Sequence, residues 1–325
     1  MDSRYPIKPL DFDGISTYPL ESRKSKVHAG MFAKPMSGSE NILGFISKLP
    51  HILAADSLRT LIRAILFAKT AGKPIIWGLG GHVIKVGLGP VIVDLMHSGF
   101  VTGIAMNGSA AIHDFEVALR GATSEEVEEQ LSGGKFGMAR ETGEYMNSAI
   151  GEAAGSGIGM GEGLGRFISH GKDKQIAFEH TGSSILSEAW SRNIPVTVHV
   201  AIGTDIIHAH PEVSGKAHGE TTYQDFRLFC TMVKDLAGGG VYLNIGSAVI
   251  LPEVFLKAVA VVRNLGHPLE EFTTANLDFI QHYRPTQNVL KRPTQNSGQW
   301  IALTGHHEIM VPLIAAALKG SLDTK

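Results

Sequence analysis

The sequence predicts an α/β domain with a mainly parallel, doubly wound sheet and helices on both of its faces. Three observations support this fold class. Short apolar runs, such as residues 101–106 and 240–245, have the length and composition of buried strands. Glycine-rich turns and then helical periodicity follow these runs, which is the order of parallel βαβ units. Glycine is also abundant, at 38 of 325 residues, as many tight strand-to-helix turns require.

The elements are predicted in chain order. Asp56 is expected to cap the first long helix, which Gly72 ends. Another helix is expected to start in the turn at residues 107–114. The predicted strands cover residues 74–77, 101–106, 195–202, 240–245 and 271–276, and the other helices cover residues 57–71, 83–98, 124–131, 184–192, 223–236, 252–263 and 309–319.

Two segments have no single interpretation from their sequence. Residues 155–165 carry glycine at every second position. This pattern fits a flexible loop or the tightly packed start of a helix, and it also fits an active-site lid. The motif Arg-Pro-Thr-Gln-Asn occurs at residues 284–288 and again at 292–296. Two copies are too few for a solenoid, so we expect a polar loop that lines a site.

Length and composition indicate one large domain, residues 41–325, preceded by an irregular arm, residues 1–40, that lies on a partner subunit. The net charge of −2 gives no electrostatic reason to expect nucleic acid or a membrane as a partner. Cys230 stands alone in an apolar helical stretch and is expected in the core. A single cysteine, with no signal peptide in the first 16 residues, favours a cytoplasmic protein.

Four segments are expected at the carboxyl ends of strands, where open parallel sheets bind ligands. They are residues 78–82, 107–109, 246–247 and 273–276. None is a strict Gly-x-Gly-x-x-Gly motif, and each glycine also fits simple turn geometry. Together they predict a nucleotide-type cofactor, with NAD as the first choice.

Histidines supply candidate site residues. His113 and Asp114 fit an acid–base pair, although Asp114 also suits the start of a helix electrostatically. His208, His210, Glu212 and His218 could be metal ligands, as could the run His306-His307-Glu308. We expect the first of these groups to line a substrate pocket rather than to bind a structural metal.

Residues 78–114 resemble the first nucleotide-binding half of deoxyhypusine synthase. In that family a Gly-Tyr-Thr-Ser-Asn turn, a helix, a Val-rich strand and a Thr-Thr-Ala-Gly-Gly-Val-Glu-Glu-Asp segment follow one another. Here Gly80-Gly-His82 stands in place of Thr-Ser-Asn, and Met106-Asn-Gly-Ser-Ala110 stands in place of Thr-Thr-Ala-Gly-Gly. Asp114 matches the final Asp.

Further motifs extend the resemblance over about residues 55–320. Thr204-Asp205 is similar to the family's Thr-Asp before the active site, and Thr273-Thr-Ala-Asn276 is similar to its Asn-Thr-Ala-Gln. Residues 305–312 stand at the position of the family's Ala-Asp-Ala-Ser-Leu-Val-Phe-Pro. Residues 107–116 also resemble the related domain of LOR/SDH-type proteins, some of which are NAD-dependent ornithine cyclodeaminases. The resemblance implies a Rossmann-like NAD domain in a homotetramer with sites between subunits.

The turns and the resemblance together give the expected site. The cofactor-binding candidates are Gly80, Gly81, His82, Asn107, Gly108, Ser109, Asp205, Gly246, Ser247, Thr274, Ala275, His306 and His307. The catalytic candidates are His113, Asp114, His210 and Lys291, and no metal is expected.

Departures from the family limit what the resemblance implies. Deoxyhypusine synthase forms an imine on the lysine of a Trp-Gly-Lys motif, whereas Trp300 here is followed by Ile301 and Ala302. Lys291 is the nearest lysine, and His210 replaces an expected acidic residue. Because a polycationic polyamine needs carboxylates, the sequence argues against true deoxyhypusine synthase activity.

The sequence therefore favours an NAD-dependent enzyme of the deoxyhypusine synthase-like superfamily that acts on a small amine, amino acid or alcohol. A non-catalytic nucleotide-binding or scaffold protein is the first alternative, because the catalytic lysine motif is missing. A metal-dependent hydrolase built on the histidine cluster is the second, less favoured alternative. Fold alone does not decide among them.

Overall fold

The computed structural model describes residues 3–322. The strands are β1 (Ile75–Leu79), β2 (Gly103–Asn107), β3 (Val196–His199), β4 (Val241–Ile245), β5 (Thr273–Asp278) and β6 (Gln299–Thr304). They form one parallel sheet in the order β3-β2-β1-β4-β5-β6, so the chain winds outward in both directions from β1 and β4. The predicted doubly wound α/β fold is confirmed.

Helices cover both faces of the sheet because successive strand residues point to opposite sides. In β1, Trp77 belongs to one buried core and Ile76 belongs to the other. The α-helices are α1 (Ile42–Lys48), α2 (Leu53–Thr70), α3 (Gly81–Lys85), α4 (Gly89–His97), α5 (Gly108–Arg120), α6 (Val127–Ser132), α7 (Arg140–Ser156), α8 (Met160–Ser169), α9 (Ile185–Ser191), α10 (Gly215–Lys234), α11 (Ile250–Asn264) and α12 (His307–Gly320). A π-helical segment, Pro285–Lys291, follows β5.

Several boundaries differ from the predicted ones for local reasons. Asp56 does not cap α2, which begins three residues earlier, and it pairs instead with Arg59 at 3.0 Å. The single helix predicted over residues 83–98 is two helices. Gly87 interrupts it with a left-handed φ of 78°, and Pro90 lies in the first turn of α4.

The edge strand β6 and the π-helical segment are not predicted by the sequence. In β6 only Ile301 and Leu303 are buried, and Trp300 is 48% exposed, so the strand lacks a continuous apolar run. The first Arg-Pro-Thr-Gln-Asn copy enters the π-helical segment rather than a loop. Turn-forming residue types do not reveal this helix, because tertiary packing on α11 and β5 overrides them.

The alternating glycines of residues 155–165 span the end of α7, the turn at Gly157 and the start of α8, and those within α8 are tightly packed. None of these residues lines the cavity described below. A Cβ on Gly161 would lie 2.1 Å from the Val196 carbonyl oxygen, and one on Gly163 would lie 2.4 Å from Ala153 Cβ. Val196 is at the amino end of β3, opposite the edge where ligands bind. These glycines therefore let helices pack closely against the sheet and against each other.

Residues 3–40 are almost entirely exposed, and short 3-10 turns are their only regular structure. They join the rest of the chain through a few backbone bonds, such as Lys34 N to Lys48 O at 2.9 Å. Residues 1 and 2 of the predicted arm and residues 323–325 of the predicted domain lie outside the described range. Within residues 3–322, no helix combines the length and apolarity that a bilayer crossing requires.

Candidate functional site

The turns after β1 and β4 touch each other directly at the centre of the sheet. Gly80 N donates to the Ile245 carbonyl oxygen at 2.9 Å, and a Cβ on Gly80 would lie 2.0 Å from the Gly246 oxygen. Gly246 has a left-handed φ of 66°. Contact between the two turns therefore accounts for both glycines without a ligand.

The first turn of α5 is packed in a similar way. A Cβ on Gly81 would lie 2.2 Å from Ser109 Oγ, and one on Gly108 would lie 2.1 Å from Asp205 Oδ2. The Asn107 side chain caps α5 by accepting a backbone N–H at 2.9 Å. The segments that follow β1, β2 and β3 are thus brought together, with Asp205 against the start of α5.

A cavity of about 190 Å³ lies beside the first turns of α5. Three carboxylates line it against one lysine and one histidine, so its charge favours a cationic ligand. The segment between α5 and α7, residues 121–139, covers one side of this cavity, and residues 155–165 do not line it. The lining residues are Lys85, Ser109, Ile112, His113, Glu116, Ser124, Glu125, Val127, Phe136, Thr204, Asp205 and Ile206.

Asp205 is the most unusual acid in this cavity. Its carboxylate accepts the backbone N–H of His208 in a capping box, but its Oδ2 is buried without a hydrogen-bond partner among residues 3–322. Burial raises the pKa of Asp205 to about 6, against a hydrogen bond from Thr204 that lowers it. A donor from a bound molecule would satisfy this oxygen and stabilise its charge.

A chain of hydrogen bonds orients His113 in the same cavity. Thr142 Oγ1 donates to Glu116 at 3.0 Å, and the Thr123 hydroxyl donates to the other oxygen of Glu116. The Thr123 oxygen then accepts from His113 Nδ1 at 2.7 Å. A neutral His113 therefore carries its proton on Nδ1 and presents Nε2 as a proton acceptor.

Glu116 is held in its charged form at the end of this chain. Burial acts to raise its pKa, but the side chains of His113, Thr123 and Thr142 outweigh burial and hold the pKa below its ordinary value. Its Oε2 lies 3.8 Å from His113 Nδ1. Glu116 therefore helps to fix the orientation of the His113 ring.

Asp114 does not join His113, and the expected acid–base pair is not formed. Its carboxylate is fully buried and accepts from Ile185 N at 2.8 Å, Leu186 N at 2.9 Å and the Ser184 hydroxyl at 2.6 Å. Burial raises its pKa to about 6, although these bonds oppose the rise. Asp114 thus holds the start of α9 beneath α5, because residues i and i+1 of a helix face different directions.

Two cofactor candidates lie inside the sheet. Thr274 and Ala275 are fully buried within β5, which ends only at Asp278. The strand therefore continues past the predicted turn, and its carboxyl end is followed by Phe279. The Ser247 hydroxyl already has a partner within the chain, since it accepts a hydrogen bond from Leu251 N at 3.2 Å at the start of α11.

The histidine cluster near residue 210 does not line the cavity, contrary to expectation. His210 is buried and bonds to the Gly137 carbonyl oxygen at 2.9 Å. His218 bonds to Asn147 at 2.9 Å and packs on His208, with 4.9 Å between ring centroids. Burial lowers the pKa of both His208 and His218, the latter to about 4. Neutral rings of this kind pack α7 against α10.

Metal ligation finds no support in this cluster. Glu212 is exposed rather than turned toward the buried histidines. Across residues 3–322, no group of three histidine, cysteine or acidic side chains is arranged to hold a metal ion. The contacts of these histidines are those of packing between α7 and α10.

Aromatic rings gather on the other side of β1 from the cavity. The rings of His82, Phe279, His306 and His307 lie 5.5–6.2 Å apart between neighbouring centroids. His307 is buried, and His82 and His306 are exposed. Three histidines from the predicted cofactor set are thus brought together by the ends of β1, β5 and β6.

Lys291 is separated from the cavity by the sheet order. It ends the π-helical segment between β5 and β6, is exposed, and is not among the cavity residues. The lysine that does line the cavity is Lys85. An imine-forming role for Lys291 therefore has no structural support.

Cys230 was expected in the core. The structure shows that it is only partly buried.

Three charged cavity residues were not predicted as site residues. Glu116 follows His113 by three positions on a helix, and that spacing alone places both on one face. Glu125 lies in the insertion and accepts from Gly137 N at 3.0 Å. No sequence signal identifies Glu125 or Lys85, because they reach the cavity through tertiary packing.

No protein-family model matches the chain, and no curated protein matches its sequence. Solved structures match it in fold. A deoxyhypusine synthase candidate from Entamoeba histolytica aligns with a TM-score of 0.52 and 11% identity, over 89% of this chain and 96% of that one. AgrE, in its ternary complex with ornithine and NAD+, aligns with a TM-score of 0.53 and 13% identity, over 86% of this chain.

A LOR/SDH candidate from Methanococcus maripaludis S2 aligns with a TM-score of 0.49 and 18% identity, over 83% of this chain and 71% of that one. The chain spans only 35% of AgrE and 33% of ArgZ, an arginine dihydrolase from the ornithine–ammonia cycle in cyanobacteria. The chain therefore shares its fold with the Entamoeba protein and with AgrE, and its sheet order is that of a doubly wound Rossmann-type sheet.

Proposed function

We propose that the chain is an NAD-dependent enzyme that acts on a small amine or amino acid. One observation carries this proposal: the cavity beside α5 joins an oriented histidine to a buried carboxylate oxygen without a partner among residues 3–322. An ammonium group fits this combination, because Asp205 can accept its hydrogen bonds and His113 can take its proton. An alcohol would leave the negative charge of the cavity unpaired.

Each cavity residue has a role in this proposal. Asp205 binds and orients the ammonium group, and Glu116 with Thr123 keeps the proton of His113 on Nδ1. His113 Nε2 removes a proton from the substrate nitrogen as the carbon beside it loses a hydride. The roof from residues 124–136 limits access of water.

NAD, when bound, would supply hydride acceptance. The touching turns at Gly80 and Gly246 leave no gap between them. The exposed or partly exposed candidates for contact are His82, Asn107, Ser109, Asp205 and His306. Two observations support NAD. Asp205 Oδ2, which has no partner among residues 3–322, belongs to the cavity that Ser109 also lines. AgrE, which shares the fold, is known in a complex with NAD+.

Calorimetry with NAD, NADH, NADP and FAD tests the cofactor, and NADH formation with panels of amines, amino acids, polyamines and alcohols tests the reaction. We expect micromolar or tighter binding of NAD and turnover with an amine. His113→Ala should lower kcat at least about 100-fold without changing NAD affinity. The exposed His97→Ala serves as the matched control. Absence of heat and of a thermal shift with every cofactor would contradict the proposal.

The pH dependence gives a separate test of Asp205. Its pKa of about 6 means that its carboxylate charges as pH rises through that value, so kcat/KM for an amine should rise through pH 6 and then level off. Asp205→Asn should change this acid limb and raise KM, whereas Glu220→Gln on the surface of α10 should leave both unchanged. An acid limb and a KM that are both unchanged in Asp205→Asn would assign the limb to another group.

A non-catalytic nucleotide-binding protein is the second candidate. The observation that favours it is the position of Lys291 outside the cavity, together with the missing Trp-Gly-Lys motif. NAD binding without NADH formation across the whole panel, and without any effect of His113→Ala, would favour this candidate over the enzyme.

A further inference from the structure

One ring nitrogen of His208 holds the loop that carries Asp205. His208 Nδ1 lies 3.2 Å from Gly203 N and 3.4 Å from Asp205 N. Both partners are backbone N–H donors, so Nδ1 is the acceptor and a neutral His208 carries its proton on Nε2. In return, the Asp205 carboxylate accepts from the backbone N–H of His208. The two residues therefore fix each other's orientation.

Packing contributes little to holding this loop. Residues 202–204 are exposed, and Gly203 has a left-handed φ of 92°. The Asp205 side chain that the bonds orient lines the cavity, and its Oδ2 has no partner among residues 3–322. The position of this acid in the cavity therefore depends on the acceptor that His208 offers to the loop.

A buried amide fixes the proton of the neighbouring ring, His218. Asn147 Nδ2 donates to the carbonyl oxygens of Gly143 at 2.9 Å and Ile207 at 3.0 Å, which identifies Oδ1 as the acceptor end of the amide. His218 Nε2 lies 2.9 Å from this Oδ1 and therefore carries the proton. A neutral His218 then has a lone pair on Nδ1.

The two remaining ring nitrogens are complementary. His208 Nε2 is a donor and His218 Nδ1 is an acceptor, and both are buried without a hydrogen-bond partner among residues 3–322. The rings pack on each other with 4.9 Å between centroids and 69° between planes. Burial lowers the pKa of both rings, which keeps them in the neutral state that this arrangement needs. A single buried water satisfies a donor and an acceptor placed in this way.

We infer that one buried water joins His208 Nε2 to His218 Nδ1, and that the resulting network, called here the histidine network (His208, His218 and Asn147), positions Asp205 for the substrate. The water accepts from His208 and donates to His218, so hydrogen bonds run without a break from the Asp205 loop to α7. Both histidines are positioning residues, since neither lines the cavity. The effect on Asp205 rests on the proposed function, whereas the network itself does not.

Heteronuclear NMR of the imidazole nitrogens tests the network in the full chain without any ligand. We expect both rings in the Nε2–H tautomer at neutral pH. The His208 Nε2 proton should exchange slowly with solvent and show a nuclear Overhauser contact to a long-lived water. Spectra of His208→Gln and His218→Phe assign the two rings. An Nδ1–H tautomer on either ring, or a His208 proton without a water contact, would overturn the network.

Matched variants test the effect on Asp205. His208→Leu removes the acceptor for the loop, so KM for the amine should rise about 10-fold, as loss of one hydrogen bond implies, while NAD affinity stays the same. His208→Gln should keep the wild-type KM, because glutamine at this position accepts from Asp205 N as in an ordinary capping box. The control is His199→Leu, which removes another buried, neutral ring, one that bonds to Thr197 at 3.0 Å, and should leave KM unchanged.

The outcomes separate the two proposals. A wild-type KM in folded His208→Leu would overturn the positioning role and leave the proposed function standing. An equal rise of KM in His208→Gln or in His199→Leu would assign the effect to loss of a ring rather than of the acceptor, and would overturn the role as well. If the wild-type chain turns over no amine, the proposed function and the role in positioning a substrate both fall, and the NMR tautomers still decide the network.

Discussion

Asp114 is a buried acid and Asp205 a partly buried one near α5, and their partners give them different roles. Asp114 accepts three hydrogen bonds from the start of α9, whereas Asp205 Oδ2 has no partner among residues 3–322. Burial raises the pKa of each to about 6. A perturbed pKa therefore does not distinguish a structural acid from a site acid. Asp205 differs because its unpartnered oxygen belongs to a residue that lines the cavity.

Replacing Asp114 should lower stability and leave ligand binding intact. Asp114→Ala would leave two buried backbone N–H groups and a hydroxyl without an acceptor, so we expect a loss of about 3 kcal/mol in the free energy of unfolding. Asp114→Asn, which keeps an acceptor oxygen, should lose less. Urea unfolding measures both, with NAD affinity measured alongside. Loss of NAD binding in a folded Asp114→Asn variant would return Asp114 to the site.

Local chemistry decides which residue roles can be predicted from the sequence. The Asn107 cap and the shared face of His113 and Glu116 follow from helix geometry alone. The expected roles of Gly80 and Gly246 are different, because the same glycine permits either a ligand or another backbone to approach. Only the structure shows that a backbone is what approaches.

At the scale of elements, prediction succeeded where a strand, a capped turn and a helix follow each other, as at β2 and α5. It failed where packing between distant segments decides, as at β6 and the π-helical segment. The same reason displaced Thr274 and Ala275 from the site, because β5 extends two residues further than its apolar pattern. A shift of that size moves a residue from the sheet edge into the core.

The glycines of α7 and α8 offer a matched test of packing. Gly161→Ala would bring a Cβ to 2.1 Å from the Val196 oxygen, whereas Gly155, in α7, has open space around it. We expect Gly161→Ala to destabilise by about 2 kcal/mol or more. Gly155→Ala should stabilise by up to about 1 kcal/mol through helix propensity. Equal effects of the two substitutions on the urea midpoint would show that flexibility, and not packing, explains these glycines.

At the scale of the whole molecule, the arm is the part whose surface is least consistent with an isolated chain. Tyr5, Leu10 and Phe12 are 78%, 82% and 66% exposed, and further apolar side chains follow along the arm. Exposed apolar surface on this scale is rare in monomers and typical of surfaces that meet a partner. The arm is tied to its own domain mainly near α1, as at Lys34.

We therefore expect a homo-oligomer, most simply a tetramer with two-fold axes, in which the arm covers a neighbouring subunit. Light scattering should give a mass of several times 34.8 kDa for the full chain. Replacing Tyr5, Leu10 and Phe12 by serine should lower this mass or weaken the assembly on dilution, because the arm would lose its apolar contacts without being removed. A control with three serines at exposed polar positions of the arm, Lys8, Asp11 and Asp13, should keep the mass of the full chain. A full chain at the monomer mass would contradict the assembly itself, whereas an unchanged oligomer in the Tyr5/Leu10/Phe12 variant would assign the interface to another surface.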